Sequence, residues 1–361
     1  MQRLLPVMVA PSTHAVGRIA VIRVIWAHDS ILPRVAMTSP DGVPQGLTYL
    51  KAGDKSRFNP TSNSRVLQDM ASWARAQRRE MTFKCVRLTL LNPLGRPILD
   101  TNGKMRVATG FLRKEAGVLF LYTCWHVVSG IDFLQPKLPA IGVERPTQLR
   151  VTLQLATPPV AGTSETISGE HSFQIPLYED DAQVPRIAQW EQFVRCRDFP
   201  DIDSTGLRVP IRFDMVRLNL TGQELPFISQ LQIVDATLWT NSIDPGDQLY
   251  VSGFPYGFTG DGDHVEAILL SRRCAESSWK DSGHGTFLDS PCAPGMSGSP
   301  VLLEMGGHLF LAGLYTGARF PDGPTAHPDK AAALGIFCPF AIPLIDGQLV
   351  RAEGLSKGLP P

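Results

Sequence analysis

The sequence predicts an all-β protein, and three observations carry that reading. From residue 81 onward, short apolar runs recur at close spacing, several with strand-like alternation. Glycine and proline number 32 and 30 in 361 residues, enough to divide the chain by many turns. Hydrophobic residues make up 43% against 19% charged, a balance that supports a packed core rather than a disordered chain. About ten strands with turn signals between them fit β-barrels or a sandwich. No repeat of solenoid length interrupts that reading.

The elements follow in order. Residues 21–26 (VIRVIW) are predicted as a strand, and 64–80 as a short amphipathic helix with Ser64 as its N-cap. Segment 1–80 carries 11 Lys and Arg against 5 Asp and Glu and lacks a sustained apolar pattern. It is therefore expected to be an N-terminal extension. A competing expectation is a reading frame begun too far upstream, with Arg78-Arg79-Glu80 translated from a purine-rich ribosome-binding site before Met81. Strands are then expected over 83–91, closed by the turn Asn92-Pro93-Leu94-Gly95, and over 105–113 and 118–124. Residues 149–155 alternate cleanly, with Leu149, Val151, Leu153 and Leu155 on one face, and 158–168 reads as a polar loop. Further strands are expected over 211–220, 248–252, 265–270, 301–303, 309–315 and 334–342, with a polar tail over 351–361.

Charge and cysteine content exclude several classes. Lys and Arg number 34 and Asp and Glu 34, which argues against a chain that grips phosphate backbones, so no nucleic-acid partner is expected. No uncharged apolar run is long enough to span a bilayer, so no membrane partner is expected. Cys85, Cys124, Cys196, Cys274, Cys292 and Cys338 form no C-x-x-C pair and no zinc-finger spacing, so no metal is expected. The first apolar stretch is broken by Pro6 and makes a poor signal peptide. Free thiols and a cytoplasmic location are the expectation.

Three local signals carry chemistry. The run Pro294-Gly295-Met296-Ser297-Gly298-Ser299-Pro300 places a serine among small residues before an apolar strand. A serine nucleophile needs a base, an exposed position and oxyanion donors, and the backbone N–H groups of Gly295 and Ser297 are spaced to supply the donors. The bland alternative is a Gly/Ser/Pro turn. His126 ends the apolar run 119–125, where a satisfied core histidine is the commoner outcome. Asp214 heads an alternating strand, where a simple strand cap is the bland alternative. The order His126, Asp214, Ser297 is the one used by chymotrypsin-type proteases.

Six ordered motifs give the chain from about 81 to 346 a resemblance to the trypsin/chymotrypsin-like serine peptidases of the bacterial trypsin-like kind. Ala108-Thr109-Gly110-Phe111 resembles the family's G-T-G-F strand, with Ala first. Thr123-Cys124-Trp125-His126-Val127 resembles T-x-x-H-V, and Asp214-Met215-Val216-Arg217-Leu218 resembles the segment around the catalytic acid, with Val216 in place of Ala. Gly253-Phe254-Pro255-Tyr256-Gly257 resembles the segment that opens the second barrel. Gly295 to Pro300 matches G-[ND]-S-G-[GS]-P except at Met296, and Ala312 to Gly317 resembles the strand that walls the cleft.

The resemblance implies two packed six-stranded antiparallel β-barrels over about 81–222 and 223–346, within a peptidase domain 81–350. It implies serine endopeptidase activity on a protein or peptide substrate, with no cofactor. Ser297 would attack, His126 would move the proton, Asp214 would fix the imidazole, and Gly295 and Ser297 would form the oxyanion hole. Thr316 would supply the hydroxyl that supports the acid. Pro291 would form the base of the specificity pocket and Cys292, Thr316, Gly317 and Ala318 its wall, which suits a small or medium uncharged side chain before the scissile bond. A catalytically inactive protein-binding module on the same fold is the alternative. Asp261-Gly262-Asp263-His264 lacks the ligand series of a calcium loop. A hydrolase elbow around Ser297 with Asp322 and His327 is rejected, because Ser299 replaces its last glycine and a strand follows.

Overall fold

The computed structural model describes residues 21–25, 34–38, 60–100, 102–131, 144–156, 167–179, 187–195, 201–202, 208–209, 211–221, 223, 225, 231–258, 266–276, 286–319, 334–341 and 347–351. The chain divides into two units, 1–66 and 67–361. In the first, β1 (Val21–Ile25) and β2 (Arg34–Thr38) pair antiparallel with Val21 opposite Thr38. Helix α1 (Pro60–Phe83) is longer than the helix expected over 64–80. It starts at Pro60, whose fixed φ suits a first turn, so Ser64 lies inside the helix rather than capping it.

The second unit is all-β with few helices. Its strands are β3 (Cys85–Leu91), β4 (Val107–Glu115), β5 (Val118–Thr123), β6 (Gln148–Ala156), β7 (Ile167–Pro176), β8 (Tyr178–Glu179), β9 (Ile187–Ala188), β10 (Trp190–Arg195), β11 (Asp201–Ile202), β12 (Arg208–Val209) and β13 (Ile211–Asn219). They continue as β14 (Gln248–Gly253), β15 (Ile268–Glu276), β16 (Thr286–Leu288), β17 (Pro300–Met305), β18 (His308–Arg319), β19 (Leu334–Pro339) and β20 (Gly347–Arg351). A short helix, α2 (Trp125–Ser129), follows β5, and a 3₁₀ turn covers Pro255–Gly257.

The second half closes as expected, in a six-stranded antiparallel barrel of order β14-β15-β16-β19-β18-β17. The first half differs from the expected six-stranded barrel. It is an eight-stranded sheet of order β20-β10-β13-β5-β4-β3-β6-β7, with edges at β7 and β20. Two features enlarge it. The β6–β7 hairpin extends one edge, and β20 crosses back from the barrel half to pair with β10, Phe193 opposite Leu349. β20 begins directly after residue 346, where the second barrel was expected to end, and residues 352–361 of the expected polar tail lie outside the described residues.

Alternation explains which faces pack. Leu149, Val151, Leu153 and Leu155 of β6 are all buried. The sheet's core also takes Leu302, Leu309, Leu311, Leu314 and Phe340 from the barrel half, so one apolar layer joins the two. A second cluster, with Leu249, Val251, Met296, Val301, Leu303 and Phe337, fills the barrel. The boundary expected at residue 80 falls inside α1, whose last turns lie on the barrel. Ala74 and Met81 are buried, Trp73 meets His308 edge-on at 4.4 Å, and Gln77 Oε1 accepts from the Leu309 N–H at 3.3 Å. Arg78 donates to the Tyr250 hydroxyl at 3.0 Å and pairs with Glu304.

Candidate active site

His126 stands in the first turn of α2, directly beyond the end of β5. Asp214 is carried to it by register. Val216 of β13 lies opposite Thr123 of β5, so Asp214, two residues earlier on β13, abuts the start of α2. The Asp214 side chain is 3% exposed, and both oxygens are used. Oδ1 accepts from the His126 backbone N–H at 2.9 Å, and Oδ2 lies 2.7 Å from His126 Nδ1. A carboxylate bonded to both the ring and its own backbone fixes the imidazole plane and favours the Nδ1–H tautomer, which leaves Nε2 as a proton acceptor.

Ser297 lies in a turn whose two flanking glycines have positive φ, Gly295 at 93° and Gly298 at 90°. Neither admits a side chain. A Cβ on Gly298 would collide with Thr109 O and lie 2.5 Å from Thr123 Oγ1, and one on Gly295 would collide with Phe254 O. The turn is fixed to the sheet through Thr109 of β4. The Thr109 N–H donates to Ser297 O at 2.8 Å, its Oγ1 donates to Gly295 O at 2.8 Å, and the same Oγ1 accepts from the Phe254 N–H at 3.0 Å. Thr109 O accepts from Thr123 Oγ1 at 2.9 Å, three residues before His126. The serine turn and the histidine are thus anchored on adjacent strands. Ser297 Oγ lies 3.5 Å from Thr316 O, at the long limit of a hydrogen bond.

The two expected oxyanion donors belong to peptides whose carbonyls are already bonded. Pro294 O accepts from the Tyr256 N–H at 2.6 Å, and Met296 O accepts from the Ser299 N–H at 2.9 Å. In a trans peptide the N–H points opposite to the C=O, so the Gly295 and Ser297 N–H groups are directed away from those partners. Neither donates to an acceptor among the described residues. Met296 between them is fully buried in the barrel core, with Sδ 4.0 Å from Ser299 Oγ.

Thr316 does not reach the acid as expected. It sits at the bulge between Tyr315 and Gly317, which turns its hydroxyl toward β19, where it donates to Ile336 O at 3.1 Å. The buried thiol of Cys124 lies near the acid instead. Its Sγ, one ring nitrogen of His126 and one carboxylate oxygen of Asp214 lie within 4.8 Å of one another. Among the described residues, those three form the group that could hold a metal. Burial pushes the Cys124 thiol well above its ordinary pKa and the Asp214 charge adds to the rise, so the thiolate that a metal needs is disfavoured.

Of the expected pocket residues, Thr316, Gly317 and Ala318 lie on β18, and Cys292 is bonded to Tyr315 of the same strand. Tyr315 is buried, and its hydroxyl accepts from the Cys292 N–H at 2.9 Å, laying a ring behind the Cys292 wall. Pro291 O accepts from Arg272 Nη2 at 3.1 Å, and burial pushes the Cys292 thiol up to about 11. No described residue lies within 4 Å of where a Gly317 Cβ would stand. Sequence reasoning quoted Thr109 and Tyr256 within motifs but gave neither a role; the signal was a small hydroxyl residue inside an otherwise apolar strand, and an aromatic between proline and glycine. Cys85, Cys124, Cys274, Cys292 and Cys338 are free and buried, and Cys196 lies outside the described residues. No helix among the described residues is long and apolar enough to cross a membrane. Comparison of the chain with known protein families finds no family that matches, and no curated protein matches it.

Proposed function

We propose that the chain is a serine endopeptidase of the trypsin/chymotrypsin-like type, acting through an acyl-enzyme. The observation that carries the reading is the buried Asp214 carboxylate bonded to both the ring and the backbone of His126. Ser297 Oγ attacks the scissile carbonyl as His126 Nε2 takes its proton. The oxyanion forms against the N–H groups of Gly295 and Ser297, and His126 then protonates the leaving amine. Water repeats the sequence on the acyl-enzyme, so no cofactor is required. Asp214 orients the ring and stabilises the imidazolium.

The substrate is a protein or peptide with a small or medium uncharged residue before the scissile bond. Tyr315 behind Cys292, with Pro291, Gly317 and Ala318 around them, supports a shallow, largely apolar pocket. The five free thiols support a reducing compartment such as the cytoplasm. A fluorophosphonate probe tests the reading on the full chain. Ser297 is expected to be labelled, Ser297→Ala to abolish labelling and hydrolysis, and His126→Ala to lose a similar factor. The double variant is expected to lose little more, because triad members act as a unit. An unlabelled Ser297 would refute the enzyme and leave a protein-binding module on this fold.

A further inference from the structure

Six large hydrophobic side chains are exposed among the described residues, and four of them, Leu99, Met105, Tyr256 and Phe258, stand on two segments that meet. Leu99 and Met105 form a bridge just before β4, and a Cβ on Gly257 would lie 3.1 Å from Val107, so Tyr256 and Phe258 flank the point where the segments touch. Tyr256 is 72% exposed yet has a φ of 53°, a conformation that a side chain adopts only at a cost. The exposed ring gains little burial in the chain's own fold to offset that strain. Exposed apolar groups gathered in one place mark a surface that meets something else.

The position of this ledge identifies its occupant. The serine turn has β18 on one side, where Gly298 donates to Tyr315 O at 2.8 Å and Ser297 Oγ faces Thr316 O. It has the ledge on the other, where Tyr256 donates to Pro294 O at 2.6 Å. A peptide crossing Ser297 with its acyl half along Thr316 and Ala318 must send its leaving half over Tyr256. We propose that Tyr256, with Met105 and Phe258, forms the binding surface for the segment after the scissile bond and selects apolar residues there. The proposal rests on the peptidase reading for the direction of the peptide.

The test uses the full chain and peptides identical up to the scissile bond, followed by two leucines, two glycines or two glutamates. Within each variant the ratio of kcat/KM for the leucine and glycine peptides cancels any effect on the chemical step. The native ratio is expected to be about tenfold, the low end for one apolar contact in a pocket, and to fall to about twofold in Tyr256→Gly, where glycine relieves the positive φ. Met105→Ser is expected to lower the ratio in the same direction. A native ratio near one, or a ratio unchanged in both variants, would overturn the proposal. Where no peptide is cleaved the peptidase reading has failed, and anisotropy of the same fluorescent peptides on Ser297→Ala decides the ledge separately. Tighter binding of the leucine peptide that Tyr256→Gly removes supports it, and equal binding of all three peptides overturns it.

Discussion

Replacing Thr109 by valine keeps the volume of the side chain and deletes one oxygen, which makes it a sharp probe of how the serine turn is held. Thr109 is fully buried, and that oxygen donates to Gly295 O at 2.8 Å and accepts from the Phe254 N–H at 3.0 Å. The valine variant strands a carbonyl and an N–H away from water. Each such orphan costs about 1–3 kcal/mol, so Thr109→Val is expected to lose roughly 2–6 kcal/mol in urea unfolding with an unchanged m-value. Thr109→Ser keeps the oxygen and removes one methyl, an expected loss of about 1 kcal/mol. The order is diagnostic, because apolar burial alone would make valine the milder change. With the Gly295 carbonyl released, the Gly295–Met296 peptide, which joins the two peptides that carry the oxyanion donors, is free to tilt. Ester hydrolysis by Thr109→Val is therefore expected to fall about 10–100-fold in kcat, below the full loss of an oxyanion donor. A valine variant as stable as the native chain, or more stable than the serine variant, would refute the reasoning.

On the peptidase reading, Met296 takes the place of the acid that in trypsin-type enzymes pairs with a newly cut N-terminus, so the full-length chain is expected to hydrolyse substrate untrimmed, as mass spectrometry of the active species would show. Met296→Asp is expected to cost at least ~4 kcal/mol at neutral pH, because it removes a buried apolar side chain and sets an unpaired carboxyl in its place. That loss should shrink as the pH falls toward the carboxylate range, since the folded state then binds the extra proton. Burial lowers the His308 pKa beneath the edge of Trp73, so the folded state takes up its proton less readily than the unfolded chain does. Stability is therefore expected to be fully present above about pH 6.5 and to fall below it, and His308→Gln should flatten that slope in unfolding curves. A chain starting at Leu67 is expected to match the full chain in stability. One starting at Met81 loses Ala74, Gln77 and Arg78 from the barrel surface and should unfold at lower urea.

Much of the fold was legible where apolar residues form an alternating or continuous face. The run 149–155 was expected from its alternation and forms β6 with that face inward, and 248–252, 301–303 and 309–315 fall within β14, β17 and β18. Strands without such a face escaped. In β7 the polar Glu170, His171, Ser172 and Gln174 interrupt the apolar residues, and β20 holds only two branched apolar residues within a polar stretch. Their pairing across the sheet, a long-range property, decides them rather than local pattern. The candidate site was legible as residue types in order, because the serine turn needs glycines that the sequence displays. Its supports were not. The bulge that turns Thr316 toward Ile336 depends on the register of β18 against β19, and the role of Thr109 depends on three atoms from segments far along the chain.

The supports share a physical character that bears on how the turn responds to its surroundings. Pro294 O, Gly295 O, Met296 O and Ser297 O are each held by a neutral donor: the N–H groups of Tyr256, Ser299 and Thr109 and the Thr109 hydroxyl. None of these bonds uses an ion pair, and the side chain at the centre of the turn, Met296, is an apolar plug. Neutral buried hydrogen bonds are little affected by salt screening, whereas an ion pair that ordered the same turn would weaken as salt rose or as its partners titrated. The acid of the arrangement, Asp214, is 3% exposed and bonded twice to His126, and it makes none of the four bonds that hold the turn. The geometry of the serine turn is thus decoupled from the ionisation of the acid. The shape of the oxyanion site is therefore expected to be unchanged by added salt, so that hydrolysis at fixed pH should depend little on ionic strength.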